Sequence, residues 1–212
     1  MYKNNSILGV IPAKGRSRRL PKKNLKLFFG KPLVIWTILE AKKSKFLDRV
    51  VVSTDCKRIS AIAKRYGASV PFMRPKRLCG DSVSATEVAA YVADRFRKKM
   101  QNFDAVILLQ PTSPLRAATD IDRALKLFFK KKVDSLISVA KSDRRLAYAP
   151  NGAIYIIKSD KLLEKKTFNL KKIAYYAMDN EVSVDIDTAS DFKKAKMVRR
   201  KNLRTERGAV KR

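Results

Sequence analysis

The fold of this chain is decided near its start, by the sequence Ile7-Leu8-Gly9-Val10-Ile11-Pro12-Ala13-Lys14-Gly15-Arg16-Ser17-Arg18-Arg19-Leu20-Pro21-Lys22-Lys23-Asn24. Its first residues form a continuous apolar run with the length of a buried β-strand. The run breaks at Pro12 and Gly15, and the segment from Lys14 to Lys26 holds seven basic residues and no acidic one. Gly15 permits a tight turn, so that N–H groups and basic side chains can surround an anion. This loop predicts a polyphosphate site, although it fits neither G-x-x-x-x-G-K-[ST] nor G-x-G-x-x-G, and a solvated basic loop is the alternative.

Strand-like and helix-like segments alternate along the rest of the chain. Apolar, β-branched runs predict strands at residues 50–54, 105–109 and 133–139. Apolar periodicity and capping residues predict helices at residues 33–41, 55–66 and 120–132, and a further helix that is capped by Ser82 or Ser84 and runs to Lys99. This alternation predicts an α/β domain with a parallel sheet and right-handed crossovers, whose ligand lies beyond the carboxyl ends of the strands.

Length and composition favour one globular domain. The chain has 212 residues, 45% of them apolar, which is enough for a proper core. Neither an apolar run of about eighteen residues nor a signal-peptide pattern occurs, so we expect a cytoplasmic enzyme outside the membrane. Cys56 and Cys79 lack metal-ligand spacing. Because histidine is absent, a metal would have carboxylate ligands, which indicates a hard ion such as Mg²⁺.

The formal net charge of +30 predicts non-specific binding of polyanions, including nucleic acid. Residues 193–212 contribute ten Lys or Arg residues and one Glu, and the remaining excess lies in the body of the chain. No helix-turn-helix, zinc-finger or RNP pattern is present, so nucleic acid as the main partner is the weaker alternative.

Residues Ile11 to Asn24 resemble the N-terminal signature I-P-A-R-G-G-S-K-x-x-P-x-K-N of the acylneuraminate cytidylyltransferases. The chain departs from this signature only with Lys14, Arg16 and Arg18. The resemblance implies a Rossmann-like three-layer αβα nucleotidyltransferase fold with a mostly parallel sheet. It implies a single cytidylyltransferase domain over residues 1–198, followed by a basic tail, residues 199–212, that we expect to be frayed.

Three further motifs follow in the order of the family. They are Gln110-Pro111-Thr112-Ser113-Pro114-Leu115-Arg116, Asn151-Gly152-Ala153-Ile154-Tyr155-Ile156 and Val184-Asp185-Ile186-Asp187-Thr188. The resemblance implies transfer of CMP from CTP to the anomeric hydroxyl of a nonulosonic, sialic-acid-like acid of nine carbons, with release of pyrophosphate, as in cell-surface glycan biosynthesis.

The resemblance also assigns roles to particular residues. Those that would bind the nucleotide are Pro12, Ala13, Lys14, Ser17, Asn24, Arg74, Asp81 and Ser84. Those that would bind the sugar are Gln110, Asn151, Tyr155 and Phe168. Those that would act in catalysis are Lys23, Asp187 and Arg18, and those that would hold Mg²⁺ are Asp185 and Asp187. Local structure offers simpler roles: Ser82 or Ser84 can cap a helix, Arg74 can lie on the surface, and Tyr155 can be a core aromatic.

The pair Asp185 and Asp187 has a geometric reason to bind a cation. In a β-strand, residues i and i+2 point to the same face, and two like charges there repel unless a cation lies between them. Mg²⁺ with waters and a triphosphate fits such a pair. The base that takes the sugar proton is then Asp187 or a water held by the metal, and we hypothesise that Asp187 has both roles. Thr188 with Asp191 is interpreted as a capping pair for the last helix.

The largest departure from the family lies between residues 140 and 150. Relatives carry there an arm that packs on a second subunit, so the resemblance implies a homodimer whose arm is shortened. Arg144 or Arg145 is a candidate partner for the sugar carboxylate. Two other functions stay open: a cytidylyltransferase for an eight-carbon acidic sugar, and a catalytically impaired relative that binds nucleic acid or regulates.

Overall fold

The computed structural model describes residues 2–142 and 147–209, and side chains as far as residue 203. The strands are β1 (Ile7–Pro12), β2 (Leu27–Phe28), β3 (Lys31–Pro32), β4 (Arg49–Ser53), β5 (Ala105–Leu109), β6 (Ser135–Lys141), β7 (Tyr148–Lys158) and β8 (Ile173–Ala177). The helices are α1 (Leu33–Lys43), α2 (Lys57–Arg65), α3 (Ala85–Arg97), α4 (Ala118–Lys131), α5 (Ser159–Lys165) and α6 (Ala189–Ala209). None of the helices in the described part combines the length and apolarity needed to cross a bilayer.

Six strands form one twisted sheet in the order β4-β1-β5-β7-β6-β8. β1 runs parallel to β4 and to β5, and β6 runs parallel to β8. Only β7, among these six, is antiparallel to its neighbours. Its short connection from β6 explains the reversal, because a parallel pair needs a long crossover. The predicted mostly parallel sheet is thus confirmed.

The sheet is buried between two layers of helices. Ile7 and Ile11 of β1 pack with α1, α2 and α4 on one face. Leu8 and Val10 of the same strand pack with α3 and α5 on the other face. Because alternate residues point to opposite faces, a strand covered on both sides is apolar throughout, as the sequence of β1 is. The predicted αβα layering is confirmed.

Two expectations about the C-terminal part are wrong. Residues 183–187 belong to no strand. They are held against the loop after β5, where the Ile186 N–H donates to the Thr112 carbonyl at 2.8 Å. Of the expected frayed tail, residues 199–209 are instead helical, since α6 continues to Ala209, and residues 210–212 lie outside the described residues. Residues 199–207 contain neither Gly nor Pro, so no residue in this stretch interrupts the helix.

Candidate active site

A crevice of about 550 Å³ opens where β1, β4 and β5 end at the same edge of the sheet. Its lining includes Pro12 and the polar side chains of Lys14, Ser17, Arg18, Arg19, Lys23, Asn24, Arg74, Asp81, Gln110, Thr112 and Asp187. An apolar wall consists of Leu78, Val83, Ala85 and Val88. Within the described residues, five cations and two carboxylates line this space, so it favours an anionic ligand.

The basic loop after β1 is fixed by hydrogen bonds to its own neighbours. The Asn24 side chain is buried and donates from Nδ2 to the Lys14 carbonyl at 2.9 Å. The Gly15 N–H donates to Oδ1 of Asp55 at 2.7 Å, so it is not directed at an anion. A Cβ at Gly15 would lie 2.8 Å from the Cβ of Cys56, and the φ angle of Gly15 is not positive. The chain bends at Gly15 as predicted, the glycine permits close packing on Cys56, and its own N–H is taken up by Asp55.

Lys23 joins the two distant ends of the sequence. Its Nζ donates to the Ile186 carbonyl at 2.7 Å and to Oδ1 of Asp187 at 2.9 Å. Arg19 completes the contact, because its Nη2 lies 2.7 Å from Oδ2 of the same aspartate. The backbone of Asp187 is held in turn by Asp191, whose Oδ2 accepts from the N–H groups of residues 187 and 188. The predicted capping pair of Thr188 and Asp191 is confirmed, and it fixes the acid beside the basic loop.

Asp185 lies two residues earlier, and its carboxylate faces Gly152. A Cβ on that glycine would be 3.2 Å from Oδ2 of Asp185. Partial desolvation raises the pKa of the Asp185 carboxyl, and the charge of Asp187 adds to the rise. The Thr112 hydroxyl and the charge of Lys23 oppose it. Their segment is not a strand, and of these two carboxylates only that of Asp187 lines the crevice.

The loop after β5 is stiffened from inside by Arg116. This side chain is 1% exposed and donates from Nη1 to the Ala153 carbonyl at 2.7 Å. The same nitrogen donates to the Gln110 carbonyl at 3.3 Å, which ties the loop to β7. Burial lowers the pKa of Arg116 to about 10, so it remains charged at neutral pH. Gln110 itself lines the crevice.

Arg74 and Asp81 also line the crevice. The Arg74 guanidinium is buried and donates to the hydroxyl and the carbonyl of Ser53, so it is not a surface arginine. Burial lowers the pKa of Arg74, and neighbouring Cys79 and Asp55 oppose that change. Asp81 accepts from the Nζ of Lys14 at 2.6 Å, and this contact lowers the pKa of its carboxyl.

Several residues assigned from the resemblance do not line the crevice. Ser84 caps α3, with Oγ accepting from the Glu87 N–H at 3.1 Å, as the local interpretation predicts. Ala13 is fully buried, and Phe168 is buried in the core, where its ring lies 5.3 Å from the ring of Tyr155. Burial raises the pKa of Tyr155, and the charge of Asp185 adds to this rise.

Asn151 is also occupied within the protein. Its Oδ1 accepts from the Ser138 hydroxyl at 2.6 Å and its Nδ2 donates to the Ser183 hydroxyl at 2.9 Å. It thus ties β6 and β7 to the segment that carries Asp185. Arg144 and Arg145 lie outside the described residues.

This arrangement agrees with the comparisons with known proteins. A family model described as cytidylyltransferase matches residues 8–209. The chain belongs to the cytidylyltransferase family. The chain is 34% identical to the CMP-N,N'-diacetyllegionaminic acid synthase of Legionella pneumophila, over 88% of this cytidylyltransferase and 93% of that protein. It is 31% identical to the N-acylneuraminate cytidylyltransferase of Escherichia coli, over 93% of this chain and 53% of that protein.

The fold of this cytidylyltransferase is shared with a solved structure. That structure, described as CMP:2-keto-3-deoxy-manno-octonic acid synthetase complexed with CTP, has a TM-score of 0.74 and 17% identity, over 93% of this chain and 99% of that chain. The predicted nucleotidyltransferase fold, the assignment as a nucleotidyltransferase and the resemblance to acylneuraminate cytidylyltransferases are confirmed.

Two contributors to the site are absent from the sequence-based assignment. Arg19 falls at a position that the signature leaves unspecified, so the resemblance assigned it no role. Gly152 has a φ of +75°, and the dipeptide Asn151-Gly152 is a signal for such a backbone, yet its contact with Asp185 has no local signature. Both residues act through a partner that is distant in sequence.

Proposed function

We propose that this cytidylyltransferase transfers CMP from CTP to the anomeric hydroxyl of a nonulosonic, sialic-acid-like sugar. The contact of Lys23 with Asp187 at 2.9 Å supports this most directly, because it joins the basic loop to the acidic motif in one crevice. The names of the two curated relatives, a legionaminic acid synthase and an N-acylneuraminate cytidylyltransferase, support the substrate class. The sugar oxygen forms a bond to the α-phosphorus, the bond between the α-phosphorus and the bridging oxygen breaks, and pyrophosphate leaves.

The chain supplies charge, shape and a base for this step. Lys14, Arg18 and Lys23 line the crevice and would neutralise the triphosphate, whose charge shifts to the leaving group. The apolar wall near Leu78 and Val88 would take the flat base of the nucleotide. Asp187, which lines the same crevice, would accept the proton that the sugar hydroxyl loses.

The donor set suits Mg²⁺ that is bound jointly with the nucleotide. No group of three or more Asp, Glu, Cys or His residues that could hold a metal occurs in the described part of the chain. Asp185 and Asp187 are hard oxygen donors; desolvation first, and then the charge of Asp187, raises the pKa of Asp185, and a nearby cation would oppose this rise. Because Mg²⁺ commonly uses one or two carboxylates with substrate phosphates and water, the two residues fit this ion. Bound there, the ion would neutralise charge on the phosphates.

A pyrophosphate-release assay tests the proposal. The protein is supplied with CTP, Mg²⁺ and, one at a time, N-acetylneuraminic, legionaminic and pseudaminic acids, with CMP-sugar formation verified by mass spectrometry. An eight-carbon acid, 3-deoxy-manno-octulosonic acid, is the competing substrate, and ATP or UTP in place of CTP is the nucleotide control. Formation of a CMP-linked nine-carbon product is expected. Turnover of the eight-carbon acid alone, or of none of the acids, would contradict the proposal.

The variant Asp187→Asn tests the proposed base. We expect it to lose most of its CMP transfer, since an amide cannot accept the proton. Full activity of Asp187→Asn with metal bound would exclude the role of Asp187 as a base. The homodimer implied by the resemblance is a separate proposal, and sedimentation equilibrium of the purified protein would measure it.

A further inference from the structure

Both oxygens of the Asp187 carboxylate are occupied by cations of the basic loop. Oδ1 lies 2.9 Å from the Nζ of Lys23, and Oδ2 lies 2.7 Å from Nη2 of Arg19. The two cations differ in their surroundings, because the Lys23 side chain is 13% exposed and the Arg19 side chain is 67% exposed. Lys23 has a second bond to the Ile186 carbonyl, whereas the contact of Arg19 with Asp187 is at the solvent side of the crevice. Arg19 is therefore the more easily displaced partner.

The other carboxylate in the lining of the crevice, that of Asp81, is also paired with a cation. The Nζ of Lys14 lies 2.6 Å from Oδ1 of Asp81. Without a ligand, each carboxylate that lines the crevice is thus paired with a cation that lines it too. A triphosphate carries several negative charges and competes for the cations, while a divalent ion competes for the carboxylates.

We propose that Arg19 is a positioning residue that couples the nucleotide to the metal. In the nucleotide-free protein, Arg19 covers the Asp187 oxygen that a divalent ion needs. When a polyphosphate enters, Arg19 moves its guanidinium to the phosphate and leaves Oδ2 to the ion. Since one side chain takes part in the binding of both ligands, binding of the polyphosphate favours binding of the ion, and binding of the ion favours binding of the polyphosphate. This inference rests on the proposed function, because the proposed function identifies the polyphosphate as that of CTP.

The charge-removing variant Arg19→Gln tests the exchange without any turnover. Mn²⁺ serves as the probe, and its binding to the nucleotide-free protein is followed by electron paramagnetic resonance. Because an exposed ion pair shifts an equilibrium modestly, we expect Arg19→Gln to bind Mn²⁺ about two- to fivefold more tightly than the wild type. In EDTA, the same variant should bind CTP about threefold or more weakly by calorimetry, because a charged donor to phosphate is lost. Opposite changes in the two affinities are not produced by a general loss of structure.

Arg16→Gln and Arg18→Gln are the matched controls. Arg16 lies in the same loop, but it is exposed and does not line the crevice. Arg18 lines the crevice, and its charge acts on Asp81. Neither variant should tighten Mn²⁺ binding, and Arg19→Lys should restore the wild-type Mn²⁺ affinity.

The outcomes separate this inference from the proposed function. The coupling role of Arg19 would be overturned if Arg19→Gln bound Mn²⁺ as tightly as the wild type or more weakly. It would also be overturned if Arg16→Gln bound Mn²⁺ as tightly as Arg19→Gln does. Either result would hold even if the wild type makes a CMP-sugar. A wild type that makes no CMP-sugar from any acid would overturn the proposed function, while the Mn²⁺ comparison would still report on Arg19.

Discussion

Gly152 approaches Asp185 so closely that a Cβ on the glycine would lie 3.2 Å from Oδ2 of the aspartate. Its φ of +75° also disfavours any L residue there. We expect Gly152→Ala to displace Asp185 and to lower kcat/KM by about tenfold or more, because small displacements at a reacting centre are costly. Steady-state kinetics with CTP and the accepted sugar would measure this loss.

Gly67 provides the control for the strain of the backbone alone. Its φ is +78°, and the nearest atoms to an added Cβ belong to the Lys42 side chain, at 3.5 and 3.6 Å. Gly67→Ala should lose about 1 kcal/mol of stability in urea without a change in kcat/KM. Equal kinetic losses in the two variants would contradict a special role for Gly152.

The raised pKa of Asp185 predicts that this residue costs stability at neutral pH. The folded-state pKa lies above the ordinary value of 3.8, so the folded protein binds this proton more tightly than the unfolded chain does. The contribution to the free energy of unfolding is therefore largest below the unfolded-state pKa and falls as the pH rises through the folded-state pKa. We expect Asp185→Asn to be more stable than the wild type at pH 7 in metal-free buffer.

Urea denaturation across a pH series in EDTA would measure this effect, and the gain should vanish below pH 3.8. Asp81→Asn is the control with the opposite sign, because its hydrogen bond from Lys14 lowers the pKa of Asp81. It should not be stabilised at pH 7. A destabilised Asp185→Asn at that pH would show that Asp185 is a net stabilising contact.

Lys23 is expected to be needed for turnover, because it contacts Asp187 and lines the crevice. Lys23→Met should lower kcat by about 10²-fold or more, as the loss of a charge that stabilises a transition state commonly does. Lys22→Met removes the same charge from the neighbouring residue, which is exposed and does not line the crevice. It should change kcat little. Similar losses of kcat in both variants would indicate that the total positive charge of the loop matters and not the position of Lys23.

Ser84 is expected to matter for stability and not for the nucleotide. Its hydroxyl and Glu87 form a capping box at the start of α3. Ser84→Ala should therefore lose about 1 kcal/mol in urea denaturation and keep the KM for CTP. Ser82→Ala, at an exposed neighbouring position, should change neither quantity. A higher KM in Ser84→Ala alone would restore the nucleotide role that the resemblance assigns.

The parts of the fold that depend on local pattern could be predicted from the sequence. Residues 105–109 are a strand as predicted, since a buried central strand is apolar at every position and polar residues bound this one. The start of α6 was predicted for a similar reason, because the Thr188 and Asp191 pair satisfies N–H groups within four residues. The resemblance predicted that the basic loop and the acidic motif belong to one site. Neither the local pattern of the loop nor that of the acidic motif predicts this by itself.

The roles of individual side chains could not be predicted in the same way. A motif does not tell whether Asn151 faces a ligand or bonds to Ser138 and Ser183, because both uses need the same amide. Phe168 packs on Tyr155 through a contact that only the folded chain creates. The contact of Arg19 with Asp187 likewise joins a position that the signature leaves unspecified to a distant motif.

The separation of 164 residues between Lys23 and Asp187 has a consequence for synthesis. A ribosome completes the cationic loop long before it adds the acid that this loop contacts. A product that terminates early would keep the positive charges without their carboxylate partner, so it would attract polyanions and transfer nothing. Selection against such fragments would act on their non-specific binding of polyanions rather than on the loss of catalysis.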